Sequence, residues 1–306
     1  MLSPEEAKHL ARVLNIQTTR RDFSVASLSQ NDNLLRFRGN PFLELNLSTI
    51  LLFDIGNTHI TLGAYRGDEL VSTWRVTTRV DGTADEYAVL LRSLLRQKGA
   101  NGITFDGCAI ASSVPPLAST FDELCQRHLH LEPIIVGPGV KTGLNVRTDS
   151  PREVGADRIA NAVAAKKLYG VPAIVIDFSF TATIFDALSA EGDYIGTAIA
   201  PGVTTSADAL FSHAAQLPRV ELTAPASKSP IGKNTVSSVQ AGLIYGYVGL
   251  VEGMIARQKK ELGARARVIG TGEMAQLITA ETKAIDVVDD CLTLKGLKMI
   301  YEMNVE

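Results

Sequence analysis

The same local pattern occurs twice in this chain. An apolar run, Ile50–Phe53, ends on Asp54 and is followed by a turn that contains threonine. A second apolar run, Ala173–Ile176, ends on Asp177 and leads to Thr181. Each pattern predicts a buried strand, a tight turn and an antiparallel return strand. Two such units indicate a duplicated α/β domain with a cleft between the copies.

The turn after Asp54 is suited to an anion. Gly56 and Asn57 tolerate positive φ, so the turn can be sharp. Its backbone N–H groups and the Thr58 hydroxyl can then point at one phosphate, while Asp54 can hold a cation directly or through water. The alternative is an ordinary hairpin, since Gly-Asn turns are common.

Strand and helix patterns alternate along the rest of the chain, which predicts an α/β layer architecture. Further strands are expected near residues 70–75, 107–113, 134–136, 193–200, 267–270 and 285–288. Helices are expected near residues 83–98, 115–129, 155–169, 205–215, 235–262 and 293–303. We therefore expect a first domain over residues 47–170 and a second over residues 171–306.

Residues 1–46 differ from the rest in composition. Ala7–Leu14 is expected to form a short helix, and Gln17–Phe42 is polar and rich in Ser, Asn and Gln. Such a segment buries little apolar surface, so residues 1–46 are predicted to be a poorly ordered extension.

The helix expected at residues 235–262 carries four glycines on one face: Gly242, Gly246, Gly249 and Gly253. Glycine costs a helix up to about 1 kcal/mol per position relative to alanine. A close helix contact, within the chain or across a dimer, would account for them.

Composition excludes several classes of function. The 306 residues are 45% hydrophobic with a formal net charge of −3, typical of a soluble globular protein. No basic field indicates nucleic acid or a membrane surface, and no apolar run is expected to span a membrane. The cysteines match no metal spacing and are expected to be reduced thiols in a cytoplasmic protein: Cys108, Cys125 and Cys291.

The start of the helix near residue 155 places a carboxylate, Asp157, and a guanidinium, Arg158, beside the small residues Gly155 and Ala156. From spacing alone, a helix-start aspartate with a solvated arginine is the favoured interpretation.

The segment Asp54–Thr58 resembles the first phosphate motif of the acetate-kinase, sugar-kinase, Hsp70 and actin superfamily. Seven motifs in order resemble those of type III pantothenate kinases: residues 54–58, 137–144, 153–158, 181–183, 217–221, 231–235 and 292–297. The resemblance implies duplicated ribonuclease-H-like domains, as in actin-like ATPases, with an interdomain cleft. It also implies ATP-dependent phosphorylation of pantothenate, the first step to coenzyme A. The family works as a homodimer with Mg²⁺ and a monovalent cation, K⁺ or NH₄⁺.

The resemblance also implies roles for residues. Asp157 would be the general base, Arg158 would pair with the pantothenate carboxylate, and Asp177 would bind the monovalent cation, while Asp54 would serve Mg²⁺–ATP. The implied ATP site comprises Asp54, Ile55, Gly56, Asn57, Thr58, His59, Ile60, Thr61 and Thr181. The implied pantothenate site comprises Thr148, Gly155, Ala156, Asp157, Arg158 and Thr235, the last from the partner subunit.

The chain departs from the family pattern in three places. Ser179-Phe180 replaces the single glycine of the second phosphate turn, which should crowd the γ-phosphate. Thr148 stands where an aromatic residue is usual, and Glu273 replaces the second glycine of a Gly-Gly pair. One alternative function is therefore a weakened relative that binds nucleotide or pantothenate as an accessory or regulatory protein. Another is a sugar or acetate kinase, against which the Gly-Ala-Asp-Arg segment argues.

Overall fold

The structure, a computed structural model, describes residues 25–28, 34–37, 40–44, 48–97 and 103–305. The chain divides into two compact units, Met1–Ser48 and Thr49–Glu306.

The first unit contains a three-stranded antiparallel sheet. Its strands, in sheet order, are β1 (Val25–Leu28), β2 (Leu34–Phe37) and β3 (Asn40–Glu44). The sequence predicts a poorly ordered extension here, whereas the structure places three strands in it. Strands of four or five residues are too short to show a clear alternation of apolar and polar residues, so the sequence did not reveal them. The helix expected at Ala7–Leu14 lies outside the described residues.

The second unit begins with a five-stranded mixed sheet of order β6-β5-β4-β7-β8. Its strands are β4 (Thr49–Ile55), β5 (His59–Arg66), β6 (Glu69–Thr77), β7 (Gly107–Ser112) and β8 (Ile134–Ile135). The central strand β4 pairs antiparallel with β5 and parallel with β7. Helices α1 (Ala84–Gln97) and α2 (Pro115–Leu124) belong to the same half, and a π-helical turn, Cys125–Leu129, continues α2.

A second sheet repeats this arrangement with the order β11-β10-β9-β12-β13. Its strands are β9 (Ala173–Phe178), β10 (Ala182–Leu188), β11 (Tyr194–Pro201), β12 (Arg267–Thr271) and β13 (Val287–Val288). The remaining helices are α3 (Ala156–Tyr169), α4 (Val203–His213), α5 (Thr235–Leu262), α6 (Ala275–Thr279) and α7 (Leu292–Val305). The two sheets share one strand order, so the predicted duplication is confirmed.

Helix α3 lies between the two sheets. All of its residues from Ile159 to Ala165 are buried. Ile159, Ala160 and Val163 pack with the first sheet, whereas Ala162, Ala164 and Ala165 pack with the second. The small alanine side chains let both sheets approach this one helix closely. Its N-terminal turn is consequently held by both halves of the chain.

The C-terminal helix α7 packs on the first sheet, although it follows the last strand of the second. Leu294, Leu297 and Ile300 share a core with Ile50 and Leu52 of β4. The end of the chain therefore returns to the half in which the second unit begins.

Helix α5 is the one helix, among the described residues, that is long and apolar enough to cross a membrane. It has 28 residues, and an 18-residue window within it has a mean hydropathy of 1.3, so by length and composition alone it could span a bilayer. Its buried residues, among them Tyr247, Val251 and Ile255, pack with the outer face of the second sheet. The core of a globular protein therefore accounts for its apolar face.

Candidate active site

A cleft of about 730 Å³ opens where the two sheets and helix α3 meet. The segments that line it include the β4–β5 turn, the β9–β10 turn, the start of α3 and the β12–α6 junction. The two turns are the repeated strand-Asp-turn units, so the duplication brings equivalent parts of both halves to one site.

The period of a β-strand explains why Asp54 and Asp177 face the same helix. Side chains alternate between sheet faces along a strand. Ile50 and Leu52 face α3 from β4, so Asp54 faces the same way. Val175 faces α3 from β9, and Asp177 again follows two residues later. Both aspartates therefore point towards the space in front of the N-terminus of α3.

Asp157 lies in the first turn of α3, and its Oδ1 accepts a hydrogen bond from the Arg158 backbone N at 2.9 Å. Gly155 precedes it because a Cβ there would lie 2.5 Å from the same Oδ1. The helix start thus holds a carboxylate that a side chain at residue 155 would displace.

Burial and mutual repulsion shift the pKa values of these carboxyl groups. Burial, and then the charges of Asp157 and Glu273, raise the pKa of Asp177 to about 8. Burial, and then Asp157 and Asp177, raise the pKa of Asp54 well above its ordinary value. Burial also raises the pKa of Asp157, although the Arg158 backbone N–H and guanidinium oppose it. The cleft therefore favours bound cations or protons.

Arg158 is held by two buried groups at the wall of the cleft. Its Nε donates to Asp186 Oδ1 at 3.1 Å, and its Nη2 donates to the Tyr194 hydroxyl. The Tyr194 hydroxyl in turn donates to the same Asp186 oxygen at 2.5 Å. The expected solvated arginine is therefore wrong, because the tertiary fold supplies partners that spacing could not reveal.

The altered second turn makes a contact across the cleft. The Ser179 hydroxyl closes the turn by donating to the Ala182 carbonyl at 2.9 Å. The Phe180 ring lies 5.3 Å from the His59 ring, centroid to centroid. Thr181 remains exposed at the cleft. The inserted aromatic residue thus packs on the first turn.

The β12–α6 junction also reaches the first turn. Gly272 has a φ of 93° and lies against the Asp177 carboxylate, where a Cβ would collide. Glu273 follows it, and its Oε1 lies 3.6 Å from His59 Nδ1. Two of the three departures from the family pattern, at Phe180 and Glu273, therefore meet at His59.

Most predicted site residues line the cleft, and four do not. Ile55 and Ile60 are buried in the first core. Thr148 is half-buried outside the cleft, and Thr235 is exposed at the start of α5. The cleft contains Asp54, Gly56, Asn57, Thr58, His59, Thr61, Gly155, Ala156, Asp157, Arg158, Asp177 and Thr181.

Sequence reasoning gave no site role to several residues that line the cleft. Arg75 lines the cleft from β6, where it lies next to Thr61 in the sheet. The pairing of β5 with β6 was the signal from which its place at the cleft could have been predicted. The other charged residues that it missed there are Arg152, Glu153 and Asp290. Asp186 and Tyr194 were also missed. Both are buried on strands, and no sequence motif distinguishes them from other strand residues.

Carboxylates outnumber guanidinium groups among the residues that line the cleft. The carboxylates are Asp54, Glu153, Asp157, Asp177, Glu273 and Asp290, and the guanidinium groups are Arg75, Arg152 and Arg158. Within the described part of the chain, no group of three or more His, Cys, Asp or Glu side chains is arranged to hold a metal ion. Mg²⁺ commonly binds through one or two carboxylates plus substrate phosphates, so these side chains fit a metal that arrives with a nucleotide.

Two sheets of one strand order, with a cleft at paired strand-end aspartates, define the duplicated ribonuclease-H-like fold of the actin-like ATPases. A Baf family protein from Campylobacter jejuni, titled a putative transcriptional activator, is similar in fold, with a TM-score of 0.52 and 17% identity. That similarity covers 83% of this chain and 98% of the other. A putative 2-dehydro-3-deoxygalactonokinase from Sinorhizobium meliloti has a TM-score of 0.50 and 12% identity, covering 83% and 96% of the two chains.

The type III pantothenate kinase family pattern matches residues 50–257. A type III pantothenate kinase of a Geobacillus species is 50% identical over 84% of this chain and 98% of its own length. Its counterpart in Moorella thermoacetica is 50% identical over 83% of this chain and 99% of its own length. The chain belongs to the type III pantothenate kinase family and is a kinase.

Proposed function

We propose that this chain transfers the γ-phosphoryl group of ATP to the 4′-hydroxyl of pantothenate in the cytoplasm, the first step towards coenzyme A. The observation that carries the proposal is the position of Asp157 and Arg158. Both lie at the start of α3, in front of the strand ends that carry Asp54 and Asp177. A base and a carboxylate-binding group are thereby next to a phosphate site.

Asp157 acts as the general base. It accepts the proton of the 4′-hydroxyl as that oxygen bonds to the γ-phosphorus, and the bond from phosphorus to the β–γ bridging oxygen breaks to release ADP. A pKa raised by burial brings the carboxylate nearer to the working pH, where a base is most effective. Phosphoryl transfer depends mainly on positioning and charge, so no covalent nucleophile is needed.

The nucleotide phosphates bind between the two turns, with Gly56 to Thr61 on one side and Thr181 on the other. Asp54 holds Mg²⁺ that accompanies ATP, and Asp177 holds the monovalent cation, K⁺ or NH₄⁺. When bound, these cations neutralise phosphate charge. The excess of carboxylates in the cleft supports this requirement, because ATP alone would meet net repulsion.

The active form is a homodimer in which Thr235 of one chain completes the pantothenate site of the other. Gly242, Gly246 and Gly249 of α5 support it, since a Cβ at each would meet no described atom within 4 Å. The face of α5 that carries these glycines therefore has room for a helix of a second chain. Sedimentation should give twice the 32.8 kDa mass of one chain.

One coupled assay tests the activity. ADP release is measured with pantothenate, Mg²⁺ and K⁺, and the controls omit K⁺ or replace pantothenate by sugars or acetate. Turnover with pantothenate that requires K⁺ is expected. Binding of ATP and pantothenate without turnover would instead support the accessory role, and turnover of a sugar or acetate would support the other kinase classes.

A further inference from the structure

Two of the three guanidinium nitrogens of Arg158 are already engaged by buried groups. Nε and Nη2 are engaged by Asp186 and Tyr194. Among the described residues, Nη1 has no hydrogen-bond partner, and Arg158 lines the cleft. The Nη1 edge is therefore the part that can donate to an anion, and a carboxylate suits this planar donor group.

Both groups that hold Arg158 are themselves fixed. Asp186 is 1% exposed and lies within strand β10. Tyr194 is fully buried, and its backbone N and carbonyl both bond to residues in the segment before α3. Its N donates to the Asn145 carbonyl, and its carbonyl accepts from the Arg147 N, each at 2.8 Å. The Tyr194 hydroxyl consequently has little freedom to move.

Stability is a weak explanation for such a pair. Burying a carboxylate and a guanidinium removes both from water, and apolar residues of similar volume are often as stable. The cost of burying this charged pair at the wall of a cleft is better explained by the fixed orientation that Asp186 and Tyr194 give to Arg158.

We infer that Asp186 and Tyr194 are positioning residues that orient Arg158 so that its free edge selects substrates with a carboxylate. The inference rests on the proposed function, since it assigns the selection to the pantothenate carboxylate. Asp186 fixes the guanidinium through Nε, and Tyr194 prevents rotation by bridging Nη2 to the same carboxylate. The acid end of the substrate is thereby held at a set distance from Asp157, which directly precedes Arg158 in the chain.

Tyr194→Phe tests the inference. It removes the bridging hydroxyl and keeps the ring, whose centroid lies 5.6 Å from Arg158 Cζ. The chain offers a matched control in Tyr169→Phe. The Tyr169 hydroxyl also donates to a buried aspartate, Asp289, at 2.7 Å, and Lys295 forms an ion pair with that aspartate. Unlike Arg158, Tyr169 does not line the cleft.

The measurement compares pantothenate with pantothenol, its primary-alcohol analogue. Tyr194→Phe should raise KM for pantothenate about tenfold with little change in kcat, because the lost interaction is made in the ground state and the transition state alike. KM for ATP and kcat/KM for pantothenol should stay within about twofold. Asp186→Asn should shift the same ratio, and Tyr169→Phe should not.

A parallel fall in kcat/KM for both substrates, or an unchanged KM for pantothenate in Tyr194→Phe, would overturn the positioning role alone. Wild-type chain that does not phosphorylate pantothenate at all would overturn the proposed function. Melting temperatures of all three variants accompany the kinetics. If Asp186→Asn does not fold, the comparison of Tyr194→Phe with Tyr169→Phe still decides the question.

Discussion

Replacing Asp177 by asparagine is expected to stabilise the ligand-free protein at neutral pH. Asp177 lies at a strand end in the cleft, and burial, then Asp157 and Glu273, raise its pKa to about 8 from an ordinary 3.8. A carboxyl group with a raised pKa in the folded state favours folding only while it is protonated. Asparagine has a similar shape and carries no charge, so it removes this cost.

The size of the effect follows from the two pKa values. Between about pH 4 and pH 8 the unfolded chain has lost the proton and the folded chain still holds it, so stability falls as pH rises through this window. One pKa unit corresponds to about 1.4 kcal/mol, so the loss reaches about 2 kcal/mol at pH 5 and about 4 kcal/mol at pH 7. These are upper values, because water in the open cleft screens the charges. Asp54 adds in the same direction, since Asp177 also raises its pKa.

Urea unfolding of Asp177→Asn and the parent chain at pH 5 and pH 8, without cations, measures the gain. The gain should be larger at pH 8. Added KCl should stabilise the parent more than the variant if Asp177 binds the monovalent cation. Asp208→Asn is the control, because Asp208 forms an exposed pair with Arg219 and its loss should change stability by less than about 1 kcal/mol. A variant no more stable than the parent at pH 8, or an equal gain at both pH values, would refute the reasoning.

Three further predictions concern the base, the second turn and the extension. Asp157→Asn should lower kcat by about 10²–10⁴-fold with pantothenate binding retained, and a wild-type rate in steady-state assays would refute its role as base. Replacing Ser179-Phe180 by one glycine should tighten binding of a non-hydrolysable ATP analogue in calorimetry, because the backbone N–H groups can then approach the phosphate. Weaker binding would mean that the longer turn is an adapted solution. Deleting residues 1–46 should leave kcat and melting temperature nearly unchanged, and a loss of several degrees would contradict this.

The contact between Phe180 and His59 gives a structural basis for the prediction that a single glycine in place of Ser179-Phe180 tightens nucleotide binding. The ring of Phe180 packs on the first phosphate turn, and Glu273 approaches the same histidine. A ligand that enters between the two turns must therefore meet this contact. Removing Phe180 leaves His59 free to move aside, whereas Ser179 closes the turn without reaching across the cleft.

Local patterns in the sequence determined the elements and their repetition. Continuous apolar runs predicted β4 and β9, and the two-residue period of a strand determines which face of each strand Asp54 and Asp177 occupy. Helical periodicity predicted α1, the alternation of strand and helix patterns predicted the α/β architecture, and composition predicted a globular protein. These features depend on neighbours a few residues apart, so sequence reasoning finds them. The ordered motifs added the family, and the roles carried over with them stay predictions.

Only the tertiary structure decided what surrounds those residues. Arg158 meets Asp186 and Tyr194 because β10 and β11 pack beside α3, and no local period encodes that contact. The return of α7 to the first sheet and the meeting of Phe180 with His59 are of the same kind. Each joins segments far apart in the chain, and burial of apolar surface by the whole domain brings them together. The sequence was enough to predict which aspartates lie in the cleft. Their pKa values are raised by burial and by one another's charges, and these causes exist only once both sheets have packed on α3.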